Sequence, residues 1–116
     1  MKIFFDGGLR PAGMEIAIVA RGMPHITRCL GPGTSMEAEW LALTAALALA
    51  NELALADFIL LGDAKAVIAQ ANGTARCPAS CRARKAVFDA LPRPARLRIR
   101  YIKRAQNFAG IALQHD

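Results

Sequence analysis

Phe58-Ile59-Leu60-Leu61-Gly62-Asp63-Ala64-Lys65-Ala66-Val67-Ile68-Ala69-Gln70-Ala71-Asn72-Gly73 is the stretch on which the fold turns. Phe58 to Gly62 is apolar without alternation, the pattern of a parallel strand covered on both faces rather than a half-solvated one. Asp63 follows at once. A helix from about Ala64 to Ala71 then stops at Asn72-Gly73, where glycine suits a helix C-terminus. A strand that leads straight into a helix through an acid implies an α/β chain with helices against a partly parallel sheet.

Upstream, Lys2 to Phe5 reads as a short buried strand ending at Asp6, with Gly7-Gly8 and Pro11-Ala12-Gly13 marking a turn. Glu15 to Ala20 and His25 to Leu30 read as two more strands, joined by Arg21-Gly22-Met23-Pro24, so the first third is an antiparallel meander. Gly31-Pro32-Gly33-Thr34-Ser35 breaks the sheet, with Ser35 as helix cap and Glu37 and Glu39 in the first turns, where the helix dipole favours acids. That helix runs to about Leu53. It is apolar nearly all round from Trp40 to Ala50, which predicts that other helices cover it or that it self-associates as a homodimer contact.

Downstream, a basic helix spans Ser80 to Leu91 and ends at Pro92 and Pro94. Leu97 to Ile102 alternates, with Leu97, Ile99 and Tyr101 on one face and Arg98 and Arg100 on the other. A short helix covers about Asn107 to Gln114. The order is β-β-β-α-β-α-α-β-α: a five-stranded mixed sheet with helices on both faces. No linker, repeat or low-complexity segment interrupts it, so residues 1–116 read as a single domain.

With 54% hydrophobic residues, a real core can be buried, and with only 6% aromatics alanine and leucine do most of the filling. Fifteen basic against nine acidic side chains give a formal charge of +6, which favours polyanionic partners. The surplus is lopsided, concentrated in the arginine-rich segment from Arg76 to Arg104. Met1 to Phe5 meets Asp6 too soon for a secretory leader, and the longest apolar run is too short for a membrane span. Three cysteines, an odd number, point to a reducing cytoplasm. Cys77 and Cys81 are half of a metal-binding pattern that no second pair completes, so they read as free thiols.

Asp6, Glu39 and Asp63 each stand where an element meets a sheet edge. If the strands ending at Asp6 and Asp63 are neighbours, those two acids share one end of the sheet, and the long helix can bring Glu39 beside them. Carboxylates so close cannot all stay ionised without a cation. Mg²⁺ or Mn²⁺ would answer the repulsion. Singly, each acid has an ordinary reading: Asp6 as a turn former, Glu39 as an N-terminal helix acid, Asp63 as an N-cap.

Taken together, these segments resemble the ribonuclease H family over essentially the whole chain. Phe4-Phe5-Asp6-Gly7-Gly8 followed by Pro11-Ala12-Gly13 is similar to its opening strand, catalytic Asp and glycine-containing turn. Thr34-Ser35-Met36-Glu37-Ala38-Glu39-Trp40-Leu41-Ala42-Leu43 resembles the start of its helix, in a register that selects Glu39 and leaves Glu37 as a capping or solvated acid. Leu60 to Ile68 resembles its strand-Asp-helix element, Gln70-Ala71-Asn72-Gly73 the ending of that element, and Ile102-Lys103-Arg104-Ala105-Gln106-Asn107 the approach to its last helix.

The resemblance implies a ribonuclease H-like fold and a metal-dependent endoribonuclease that cleaves the RNA strand of RNA–DNA hybrids by two-metal phosphodiester hydrolysis. Asp6, Glu39 and Asp63 would be catalytic and metal-binding residues, with Mg²⁺ or Mn²⁺ as cofactor. Arg10, Lys65, Arg82, Lys85, Lys103 and Arg104 would meet nucleic acid. The chain departs from the pattern at Gly110, where the family carries a fourth carboxylate, at Ser35 and Met36, which replace a pair of Asn, and at Ala64, which replaces a polar residue. Asp116 is the one acid in the tail that could substitute. The alternative is a catalytically impaired ribonuclease H-like module that binds nucleic acid without cutting it.

Overall fold

In the computed structural model, which describes residues 1–54 and 56–114, the apolar run forms strand β4, Asp57–Gly62. It has a parallel neighbour on each edge: β1, Lys2–Arg10, on one side and β5, Arg96–Tyr101, on the other. The meander supplies β2, Gly13–Ala20, and β3, Met23–Thr27, both antiparallel, giving the sheet order β3-β2-β1-β4-β5. Helices α1 (Ser35–Leu53), α2 (Lys65–Ala71), α3 (Arg82–Ala90) and α4 (Phe108–Gln114) complete the expected element order.

The main core lies between the sheet and α1, α2 and α3, where Phe5, Trp40, Phe58, Leu60 and Phe88 are fully buried. On the other face α4 packs over β1, β2 and β3, with Ala109 and Leu113 against Ala17 and Val19. The all-round apolar character of α1 is thus met within the chain. One side lies on the sheet, Trp40 meets Phe88 of α3 at 5.6 Å, and its indole N–H donates to Gln70 of α2. No helix among the described residues is long and apolar enough to cross a membrane.

Several boundaries differ from the sequence reading, each for a local reason. β1 continues through Gly7-Gly8, pairing Gly7 with Ile16 and Gly8 with Glu15, and turns only at Pro11-Ala12. Glycine at position 7 serves a close approach: a Cβ there would lie 2.2 Å from the Ala38 carbonyl oxygen of α1. β3 starts at Met23 because Arg21 (φ 53°) and Gly22 (φ 74°) form a two-residue turn whose twist matches the strands. It ends at Thr27, after which the Leu30 N–H still donates to the Met14 carbonyl and the Met14 N–H to that of Gly31.

The cap of α1 is Thr34, not Ser35. Its hydroxyl accepts from the Glu37 N–H while the Glu37 carboxylate accepts from the Thr34 N–H, so Glu37 is the capping acid. Asp63 is not an N-cap, since Ala64 holds that position before α2. A 3₁₀ turn at Ala79–Cys81 delays α3 to Arg82, and another at Arg104–Gln106 delays α4 to Phe108.

Candidate active site

Phe4 pairs with Leu61 across β1 and β4, and two residues farther along come Asp6 and Asp63. Alternate residues of a strand share a face, so both acids point to the α4 side of the sheet, Asp6 within β1 and Asp63 just past the end of β4, where the parallel pairing of the two strands stops. Glu39 reaches them from the second turn of α1, because Gly7 lets that helix lie against β1. The Gly7 N–H donates to Glu39 Oε1 at 2.6 Å. One carboxylate oxygen from each of Asp6, Glu39 and Asp63 lies within 4.8 Å of the other two, so the three predicted acids converge.

Burial is the largest influence on two of them. It pushes Glu39 up to about 8, helped by the neighbouring charge of Asp6 and opposed by the Gly7 N–H. Asp6 rises to about 6, through burial and then the charge of Asp63, with the Arg104 guanidinium pulling the other way. The cluster therefore holds protons that free carboxylates would have lost at neutral pH, which is the condition in which a hard cation is welcome. The all-oxygen donor set fits Mg²⁺ or Mn²⁺, with Asp6, Glu39 and Asp63 as the residues able to hold it. It is the only such group of acids, thiols and imidazoles among the described residues. Cys77 is half-buried and Cys81 buried, both as free thiols.

Gly110 of α4 closes the fourth side. A Cβ built there would stand 3.3 Å from Asp6 Oδ2 and 3.8 Å from Asp63 Oδ2, aimed at the acids. The missing fourth side chain is thus a position inside the site. Asp116 lies outside the described residues.

Asn107, unassigned by the sequence reading, is fully buried and ties the site together. Its amide donates to the Phe5 carbonyl at 3.0 Å and to Asp63 Oδ2 at 3.3 Å, and its oxygen accepts from the Ala109 N–H. A side-chain amide just before a helix is an ordinary capping signal, which is all the sequence could offer. Glu15 was also missed. It is 4% exposed and meets both Arg10, at 2.8 Å, and Arg28, in a bond from Arg28 Nη1 to Glu15 Oε1. Arg10 also donates to the Leu113 carbonyl, joining the β1–β2 hairpin to the end of α4.

The carboxylates open into a cleft of about 440 Å³ that Ser35, Arg10 and Arg104 also line. Of the six basic residues expected to meet nucleic acid, only Arg10 and Arg104 are there. Lys65 lies over the Tyr101 ring at 4.9 Å, and Lys85 pairs with the exposed Asp89 within α3. Arg82 and Lys103 are exposed outside the cleft.

Residues 22–114 match the family described as reverse transcriptase-like. No curated protein sequence matches. Among solved structures, RNase H1 from the halophilic archaeon Halobacterium salinarum NRC-1 is 24% identical with a TM-score of 0.77, covering 97% of this chain and 92% of its own. LC11-RNase H1, isolated from compost by a metagenomic approach, is 22% identical with a TM-score of 0.76 over 97% and 90% of the two chains. The same protein solved in complex with RNA/DNA hybrid gives 19% and 0.75 over 97% and 91%.

Proposed function

The chain belongs to the reverse transcriptase-like family and has a ribonuclease H-like fold, and on that footing we propose that it is a divalent-metal-dependent nuclease cleaving the RNA strand of RNA–DNA hybrids. The observation that carries this is the convergence of Asp6, Glu39 and Asp63 beside Gly110, where the parallel pairing of β1 and β4 ends. Asp6, Glu39 and Asp63 would hold Mg²⁺ or Mn²⁺. When bound there, such a cation neutralises charge on the scissile phosphate and makes water a better nucleophile.

The chain's own residues supply position and charge. The Gly7 N–H fixes the Glu39 carboxylate, and the Asn107 amide fixes Asp63 against β1. Arg104, whose charge already acts on Asp6 and Glu39, is placed to attract the phosphate into a site otherwise hostile to anions. Arg10 lines the cleft and has 50% of its side chain exposed despite its bond to Glu15. Ser35 lines the same cleft, and its hydroxyl is a candidate partner for the 2′-hydroxyl that distinguishes RNA. Lys65, Arg82, Lys85 and Lys103 would add phosphate contacts outside it.

Gly110 favours a second reading, a module that binds hybrid without cutting. Incubation of labelled RNA–DNA hybrid, RNA duplex and DNA duplex with Mg²⁺ or Mn²⁺ separates the two. The nuclease reading expects cleavage of the hybrid's RNA strand only, lost in Asp6→Asn and Asp63→Asn. Binding of hybrid with no cleavage in either metal overturns it.

A further inference from the structure

The α4 face of the sheet is only partly covered. α4 lies over β1, β2 and β3, while among the described residues no helix packs on that side of the β4–β5 half. Register sets the side chains of this face in rows across the strands. Phe4 pairs with Leu61 and Leu61 with Arg100; Lys2 pairs with Ile59 and Ile59 with Arg98; Asp57 pairs with Arg96. Partners in register share a face, so Arg96, Arg98 and Arg100 all project to the α4 side, and all are exposed. Ile59 is half-buried beside them, and Phe4 touches the ring of Phe108, which is 56% exposed, at 4.9 Å.

These rows lead to the carboxylates, since Asp6 and Asp63 are the next residues on this face after Phe4 and Leu61. Successive arginines stand about 6.6 Å apart along the strand, comparable to the distance between neighbouring phosphates of an extended polynucleotide. Asp57 is the acid among them, and its pairing with Arg98 at 3.4 Å is an exposed one, with both side chains over half accessible, of the weak kind that a phosphate can displace. The arginine α3 holds toward α1 differs, because Arg84 is committed to the capping acid Glu37. An apolar floor, a half-exposed aromatic ring and evenly spaced cations form the combination that binds single strands through stacking and backbone charge.

We propose that the helix-free half of this face, with Arg96, Arg98 and Arg100 as phosphate contacts and Phe108 as a stacking ring, holds a single-stranded polynucleotide leading to or from the carboxylate cleft. The substrate would then be a hybrid flanked by single strand, bound more tightly than a blunt one. This rests on the hybrid-cleaving reading for the identity of the polymer.

The test is fluorescence anisotropy with chelator present, so that binding is read without turnover. The probes are a blunt hybrid, the same hybrid with a tail of about eight nucleotides on either end, and the tail alone. The tail on one end should tighten binding about tenfold. In the Arg96→Gln/Arg98→Gln/Arg100→Gln variant, folded by circular dichroism, that gain disappears while affinity for the blunt hybrid changes less than about twofold. The salt slope for the tailed probe should fall by about 2, at roughly 0.7 for each single-strand phosphate contact. Phe108→Leu, which keeps the apolar contact with Phe4, should remove part of the gain. No tail effect in the wild type, or equal losses on blunt and tailed hybrids, overturns the proposal. A tail effect in a protein that cleaves nothing in Mg²⁺ or Mn²⁺ removes the nuclease reading and leaves this surface standing.

Discussion

Gly110→Asp should change sign with metal. The new Cβ starts 3.3 Å from Asp6 Oδ2, so the Asp6 carboxylate must give by a few tenths of an ångström, which the end of a side chain can do. The carboxylate then lies about 4 Å from its neighbours, where two like charges cost up to ~4 kcal/mol at the effective dielectric of a partly exposed site. Asp6 already holds part of its proton near neutrality, so a net cost on the order of 2–3 kcal/mol is expected at pH 8 in chelator. Replacing glycine within a helix returns about 0.5 kcal/mol at most. For 116 residues this corresponds to a fall in Tm of roughly 10 °C.

A fourth acid raises carboxyl pKa values in the folded state. The penalty is therefore complete above the raised values, near pH 8, and vanishes below the unfolded ones, near pH 4. Divalent metal should reverse it: thermal melts in Mn²⁺ should place the variant at or above the wild type, with metal affinity up about tenfold or more and faster hybrid cleavage. In the wild type, which has only the three acids, Mn²⁺ should bind and support cleavage better than Mg²⁺, because it is the more tolerant ion. A variant with unchanged Tm in chelator at pH 8, or with no gain in metal affinity, would refute the placement of Gly110 inside the site.

In chelator the wild type should lose stability as pH rises from about 5 to 8, because Glu39, ordinarily near 4.5, is raised to about 8 and the folded state binds the extra proton. Glu39→Gln should remove the part of this slope above about pH 6, leaving below it the part that Asp6, raised to about 6, contributes, and should raise stability at pH 8 by on the order of 2–4 kcal/mol in urea melts while ending cleavage; an undiminished slope between about pH 6 and 8 assigns it elsewhere. Gly7→Ala drives a methyl into the Ala38 carbonyl and should cost more than about 2 kcal/mol by the same melts. Asn107→Ala leaves the Phe5 carbonyl and the Ala109 N–H without their side-chain partner and should cost about 2–4 kcal/mol, with weaker metal binding in calorimetry. Wild-type stability in that variant would deny Asn107 its tying role.

The sequence alone determined the element order and two-thirds of the carboxylate site. Periodicity is a local property, so the unalternating run of β4 and the alternation of β5 are written directly in the residues that form them. Asp6 and Asp63 terminate apolar runs, and once those runs are neighbouring parallel strands their acids must share an end. Glu39 needed more, since only the resemblance separated it from Glu37. The structure shows what distinguishes the two: Glu37 is occupied by the Thr34 cap and Arg84, whereas Glu39 meets Gly7.

Tertiary structure alone decided what depends on residues far apart in the chain. Gly7-Gly8 carries the ordinary signature of a turn, yet the glycine is demanded by a helix crossing more than thirty positions away. Asn107 reaches Phe5 across 102 residues, and Arg10 reaches Leu113 across 103, contacts that no spacing along the sequence encodes. The alternation of Arg98 and Arg100 was legible as a polar face, to which the structure adds Arg96. That this face lies open beside the carboxylates follows only from α4 ending its coverage at β1, because side-chain periodicity reports which residues share a surface and packing decides what, if anything, covers it.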